Sequence, residues 1–267
     1  MNSVSIVGVG LVGGSFALAL RQAGFAGRIF GVSSQPAIDA ALVRGVIDEA
    51  LSLAEAAAVS DFIYLAQPIE RILQTIGVID EHIRPGTLIT DAGSTKVAIV
   101  NRAAGAISRG RFIGGHPMAG KESRGVEQAD ADLFRGRPYV LTGRDQGLES
   151  WIERIGARLV VMTAEEHDRL VAVTSHLPQL ISTALASVIG AQPDSAKVAG
   201  PAAVDLTRLA LSPYEIWRDI FATNADSVDA ALSSFITKLE ELRASLRSPK
   251  MERAFEEAAS AAKALRR

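Results

Sequence analysis

Cysteine is absent from this 267-residue chain, so neither a disulfide nor a thiolate metal site can form. That absence fits a reducing compartment, and the chain reads as cytoplasmic. Aromatic residues are scarce at 5%, and histidines number only four, so a histidine in a distinctive setting bears directly on chemistry. Neither sign of charge is in excess: 28 Lys and Arg against 30 Asp and Glu leave a formal net charge of −2. Without a basic surplus, no electrostatic ground exists for a nucleic-acid or anionic-membrane partner. No apolar stretch approaches the roughly 18 residues of a membrane span. The first apolar run, from Val4, also lacks the basic flank and cleavage site of a secretory signal. What remains is ordinary globular composition, 48% hydrophobic and 22% charged, with chain enough for two cores.

The pattern divides near Thr163. Before it, short apolar runs alternate with helical segments: Val4–Val7, Arg28–Val32, Phe62–Ala66, Leu88–Asp91, Arg111–Gly114, Tyr139–Thr142 and Leu159–Met162. Such alternation predicts a mostly parallel, doubly wound α/β sheet with right-handed crossovers. Beyond Thr163 strand signals fade. Thr163 and Glu166 have capping-box spacing, and Ser212-Pro213-Tyr214-Glu215 gives a second helix start, with proline at the first helical position. The tail from Met251 has the composition of a solvated helix. A dinucleotide-binding domain over 1–163 and an all-helical domain over 164–267 are expected.

Gly8-Val9-Gly10-Leu11-Val12-Gly13 matches G-x-G-x-x-G between the first strand and the first helix. Glycines there permit a tight turn and close backbone approach, and the helix N-terminus favours a pyrophosphate. Where an acidic residue would grip a ribose 2′-hydroxyl, this chain has Ser33-Ser34-Gln35. Their hydroxyls can donate to a 2′-phosphate and carry no repelling charge, so NAD(P) is expected, with NADP favoured. The alternative role for Ser34 is to cap the helix before Pro36.

Gly114-Gly115-His116-Pro117-Met118-Ala119-Gly120 is a poor helix and a poor strand, and predicts a shaped loop presenting an imidazole. Histidine titrates near neutrality, so His116 is a candidate proton acceptor. Ser94, in Asp91-Ala92-Gly93-Ser94-Thr95-Lys96, follows a strand and falls at the same carboxyl edge, where ligands of open α/β sheets collect. Its alternative role is an N-cap. His82 and His167 read as ordinary solvated positions, and no metal is expected.

Taken together, the Gly8–Ser15 loop, the Asp91–Lys96 segment and His116-Pro117-Met118-Ala119-Gly120-Lys121-Glu122 resemble the prephenate/arogenate dehydrogenase family. Ser175-His176-Leu177-Pro178, Thr207-Arg208-Leu209-Ala210 and Trp217-Arg218-Asp219-Ile220 continue the resemblance in family order. It implies a Rossmann-type domain, a helical dimerisation domain and oxidative decarboxylation of a cyclohexadienyl acid in tyrosine biosynthesis. It further implies that His116 accepts the ring-hydroxyl proton with Ser94 hydrogen-bonding nearby, and that Arg208 binds substrate carboxylate. Glu122 and Trp217 would shape the pocket, the tryptophan reached across a dimer contact. His176 falls in the same pocket motif, although a buried structural histidine fits it equally.

Substrate choice turns on Gln179, where the family frequently has a second histidine. A neutral amide can accept from an ammonium, so arogenate stands beside prephenate as the alternative substrate. Ala203-Val204 before Asp205 also replace bulkier family residues. The chain stops soon after the helical segment, so no amino-acid-sensing or mutase domain is expected, and tyrosine feedback would act at the active site. The apolar helices after Thr163 exceed what so small a domain buries, which predicts a homodimer. Hydroxyacid dehydrogenases and imino-acid reductases share the domain plan, but would not call for the His116 and Ser175–Pro178 motifs. A non-catalytic NADP-binding sensor would need none of Ser94, His116 and Arg208.

Overall fold

The β-rich run at the N-terminus becomes the centre of a sheet because its side chains are buried on both faces, as a covered parallel sheet requires. In the computed structural model, which describes residues 1–121 and 123–266, the chain opens as β1 (Ser3–Val7), α1 (Leu11–Gln22), β2 (Arg28–Val32), α2 (Gln35–Val43), β3 (Glu49–Ala50) and α3 (Leu53–Val59). Then follow β4 (Phe62–Leu65), α4 (Ile69–Ile79), β5 (Leu88–Asp91), α5 (Val97–Ala106) and β6 (Arg111–Ile113). These strands form one six-stranded parallel sheet in the order β3-β2-β1-β4-β5-β6. That order places the switch point between β1 and β4, where a doubly wound sheet opens a crevice.

On one face α1 packs Phe16, Ala17 and Leu20 against the sheet, with Phe16 stacked on Tyr64 at 4.0 Å between ring centroids. On the other, α4 and α5 bury an isoleucine-rich layer including Ile72, Ile76 and Ile99. The strand candidates after β6 do not extend this sheet. Gly115–Pro117 forms β7, which pairs antiparallel with β8 (Pro138–Leu141). After α6 (Gln146–Arg154), β9 (Arg158–Val161) lies parallel to β8. A separate three-stranded sheet therefore replaces the expected continuation.

The Thr163 Oγ1 accepts from the Glu166 N–H at 3.1 Å and caps α7 (Ala164–Val171). The helical unit continues through a π-helical turn at Ala172–His176 into α8 (Leu177–Gly190), then α9 (Pro201–Thr207) and a 3₁₀ turn at Arg208–Leu211. It closes with α10 (Tyr214–Thr223), α11 (Ala225–Ser245) and α12 (Lys250–Ala264). Ser212 does not cap α10; its Oγ accepts from Trp217 Nε1 at 2.9 Å, and Pro213 takes the N-cap position.

One expectation is corrected here. Through the π turn, Ala164–Gly190 is a single helical run, long and apolar enough by length and composition to cross a membrane. Its buried positions nevertheless include His167, Asp168, His176 and Gln179, which make side-chain hydrogen bonds within the protein. The core of this unit is small, centred on Ala172, Leu177, Val228 and Ala231. Val188, Val204, Leu206 and Phe255 remain more than 60% exposed.

Candidate active site

The first site element is the β1–α1 turn. Gly8 has φ +99°, and a Cβ there would lie 2.6 Å from the Ala66 carbonyl oxygen; a Cβ at Gly13 would lie 2.2 Å from that of Gly8. Only glycine tolerates both constraints. Gly10 faces open space and caps α1 without any side-chain hydrogen bond. The N–H groups of Leu11, Val12 and Gly13 are thus the uncapped first donors of a helix, the arrangement that cradles a phosphate. A cavity of about 650 Å³ opens beside them, lined by Gly8, Gly10, Ser33, Ser34 and Arg71 among others.

Ser34 holds the N-cap position of α2, yet its side chain makes no cap bond. Gln35 does not line the cavity; it donates to Asp39 Oδ1 at 2.8 Å. Arg71, an exposed residue of α4, lines it although nothing local in the sequence marks the residue. The single carboxylate among the described lining residues, Glu127, folds back over Gly125. A glycine cradle, an uncapped helix start and a cavity without an acidic residue from β2 together fit a nicotinamide dinucleotide.

The second element lies at the carboxyl end of β5. Lys96 and Asp91 are both fully buried and form an ion pair through Lys96 Nζ and Asp91 Oδ2. Lys96 Nζ also donates to the Gly115 carbonyl at 2.7 Å, while Asp91 Oδ1 accepts from the Gly115 N–H at 3.0 Å. The pair therefore clamps both peptide groups of the residue preceding His116. Asp91 Oδ2 also accepts from the Gly93 N–H at 2.7 Å, so the loop carrying Ser94 hangs on the same carboxylate. His116 consequently sits on a short strand, not on the predicted loop, with Val140 opposite it in β8.

Ser94 is partly exposed and does not cap α5. That task falls to Asp168 from α7, whose Oδ1 and Oδ2 accept from the N–H groups of Lys96 at 2.7 Å and Val97 at 2.9 Å. The same Asp168 Oδ1 lies 2.7 Å from His167 Nδ1, and His167 Nε2 lies 2.8 Å from His116 Nδ1. The reading of His167 as solvated is thus overturned: the ring is 1% exposed and belongs to the site. The available signal was the spacing of Ala164, His167, Asp168 and Val171, one face of an amphipathic helix. Burial, then the neighbouring His167, Lys96 and His176, hold the His116 pKa well below the ordinary histidine value. At neutral pH it is an unprotonated imidazole, the form a base requires.

The third element is a cavity of about 750 Å³, lined by Lys121 from the segment after β7 and by Gln179, Arg208, Ile216 and Trp217 of the helical unit among others. Gln179 is 5% exposed; its Nε2 donates to the Leu209 carbonyl at 2.9 Å, while Oε1 is buried without a partner among the described residues. Trp217 meets His176 edge-on, their centroids 6.1 Å apart. His176, at the end of the π turn, lies 3.4 Å from Asn224 Nδ2 through its Nδ1. Burial lowers its pKa from 6.5 to about 4, against the attraction of Asp168. The structure thus gathers Gln179, Arg208 and Trp217 in one cavity and His116 in the adjoining buried network, whereas Glu122 lies outside the described residues. A smaller cavity of about 250 Å³, lined by Met1, Asp61 and Trp151 at the amino ends of the strands, contains no candidate residue.

Comparison with known proteins accords with this layout. Residues 16–165 match the family model described as prephenate dehydrogenase, nucleotide-binding domain, and residues 163–259 match prephenate dehydrogenase, dimerization domain. Prephenate dehydrogenase of Lactococcus lactis subsp. cremoris is 34% identical over 91% of this chain and 70% of its own length. The crystal structure of A. aeolicus prephenate dehydrogenase in complex with hydroxyphenyl propionate and NAD+ superimposes with a TM-score of 0.91 at 32% identity, covering 99% of this chain and 98% of that one. Synechocystis arogenate dehydrogenase does so with a TM-score of 0.86 at 28% identity, covering 98% and 99%.

Proposed function

This chain belongs to the prephenate dehydrogenase family, and from that premise we propose how its residues carry out an oxidative decarboxylation of prephenate to 4-hydroxyphenylpyruvate. The observation that carries the reading is the neutral imidazole of His116, clamped through Gly115 at the sheet edge that also bears the Gly8–Gly13 cradle. The nicotinamide dinucleotide, when bound, supplies the hydride acceptor. His116 takes the proton of the ring hydroxyl, and Ser94, on the loop held by the same Asp91, hydrogen-bonds that oxygen. As the carbon bearing that hydroxyl gives up its hydrogen as hydride, the ring carboxylate leaves as carbon dioxide, its bonding electrons pass into the ring to make it aromatic, and the phenolate oxygen regains a proton from the His116 imidazolium. Arg208 presents its guanidinium fork to a substrate carboxylate, for which its planar geometry suits it better than lysine. Trp217 and His176 wall the pocket.

Arogenate is the second reading, favoured by Gln179. Its buried Oε1 lacks a donor among the described residues, and an unmet buried acceptor costs about 1–3 kcal/mol. The ammonium of an amino-acid side chain would supply that donor; the keto group of prephenate would not. For the cofactor, NADP is the choice that Ser33, Ser34 and Arg71 support, since all three line one cavity and can donate to a 2′-phosphate. The exposed apolar residues of the helical unit support a homodimer, and the cysteine-free composition a cytoplasmic setting. Prephenate and arogenate, each assayed with NAD and NADP by reduced-nicotinamide absorbance, test the whole reading. Turnover in at least one combination is expected, and inactivity in all four would refute it.

A further inference from the structure

His167 and Asp168 lie outside the motifs that point to the reaction, yet both are almost fully buried and continue in line from His116. An ionised carboxylate can only accept hydrogen bonds. Asp168 Oδ1 already accepts from the Lys96 N–H, so the nitrogen of His167 facing it, Nδ1, must carry hydrogen. In a neutral imidazole the other nitrogen is then a lone pair. His167 Nε2 stands 2.8 Å from His116 Nδ1. Two lone pairs cannot share that distance, so His116 Nδ1 bears the hydrogen and its Nε2 is left with the lone pair.

We propose that His167 and Asp168 are positioning residues that fix His116 in the Nδ1–H tautomer, so that Nε2 is the atom receiving the substrate proton. This rests on the reading of His116 as the proton acceptor. When Nε2 takes that proton, His116 becomes an imidazolium whose Nδ1–H still donates to His167, and His167 still donates to Asp168. No proton passes to Asp168. The hydrogen-bonded acceptor, held in turn by a buried carboxylate, orients the ring throughout.

The groups around His116 make this arrangement necessary. His167 from α7, Lys96 from the segment after β5 and His176 from the π turn all disfavour positive charge on His116. Asp91, the other ionised group at this edge, is paired to Lys96. Among the described residues, Asp168 is the carboxylate whose side chain connects to the His116 ring through hydrogen bonds, by way of His167, and it also caps α5. Both ends of the relay are thereby tied to the backbone that carries Ser94 and Lys96.

The wild-type protein can be tested without turnover. Four histidines make ¹⁵N-imidazole labelling readable, with His116→Asn assigning the His116 signals. Above neutral pH the unprotonated-nitrogen signature of His116 is expected at Nε2; finding it at Nδ1 overturns the proposal. Asp168→Ala removes the acceptor that holds hydrogen on His167 Nδ1, so the unprotonated-nitrogen signature of His116 should no longer be confined to Nε2, with kcat falling on the order of 10²-fold or more while KM changes little. His167→Gln, whose amide oxygen still accepts from His116, should retain far more kcat than His167→Leu. A purely structural Asp168 would lower thermal stability while leaving the tautomer and the kcat of folded protein unchanged, and that result also contradicts the proposal. Because the tautomer is read without substrate, failure here is distinct from failure of the proposed reaction.

Discussion

Lys96 Nζ donates to the Gly115 carbonyl at 2.7 Å, which ties the strand bearing His116 to the end of β5. The ammonium is fully buried with Asp91, and breaking such a pair by removing one partner costs about 3–5 kcal/mol. Lys96→Met should lower the stability measured by urea unfolding by that order and shift the acid limb of activity. Wild-type stability in Lys96→Met would mean that the pair does not hold β7.

The lowered pKa of His116 sets a pH dependence for catalysis. A base that stays unprotonated below the ordinary histidine pKa keeps working in mild acid. In the profile of kcat/KM, the acid limb should therefore fall clearly below pH 6.5. An acid limb at or above that value would contradict the burial and charge arrangement around the ring.

His176 gives a separate dependence, in stability. Its folded pKa of about 4 lies below the unfolded value of 6.5. Above pH 6.5 both states are neutral, and the group adds no slope. Between 6.5 and 4 the unfolded chain binds a proton that the folded chain refuses, so stability is lost as pH is lowered through this range, by up to about 3 kcal/mol. Thermal melts of wild type and His176→Asn from pH 7 to 4.5 should converge as pH drops. Parallel curves would show that His176 does not titrate this way.

Arg208 is expected to act in binding. A charge-assisted hydrogen bond is worth about 1.5–3 kcal/mol, so Arg208→Gln should raise KM about 10- to 100-fold with a much smaller change in kcat. An unchanged KM would remove Arg208 from the substrate site.

Arg71 is the corresponding test of cofactor choice. Arg71→Ala should weaken NADP binding about tenfold while leaving NAD binding nearly unaltered, as followed by fluorescence titration. Equal losses for both cofactors would place the guanidinium away from the 2′-position.

Much of this layout was legible from the chain alone. The parallel strands announced themselves because both of their faces are buried, and the Gly8–Gly13 loop because two of its glycines are sterically compelled. The strand at Gly115–Pro117 was not legible. Its three residues have no β-forming side chain, and its conformation comes from pairing with β8 and from the Lys96–Asp91 clamp, both long-range. His167 was hidden for a related reason: it lies in Ala-Glu-Glu-His-Asp-Arg, whose charged composition masks a buried face. Arg71 looks like any solvated helix arginine until α4 brings it to the cavity that β2 opens. Motif alone singled out Ser94 and His116 as candidates, while the groups packed around them had to be seen in three dimensions.

His116→Asn tests the central role most directly. The variant should bind the nicotinamide cofactor with wild-type affinity, yet lose about 10²–10⁴-fold in kcat with whichever cyclohexadienyl acid the wild type oxidises. Turnover close to wild type, with cofactor binding intact, would show that His116 is not the proton acceptor.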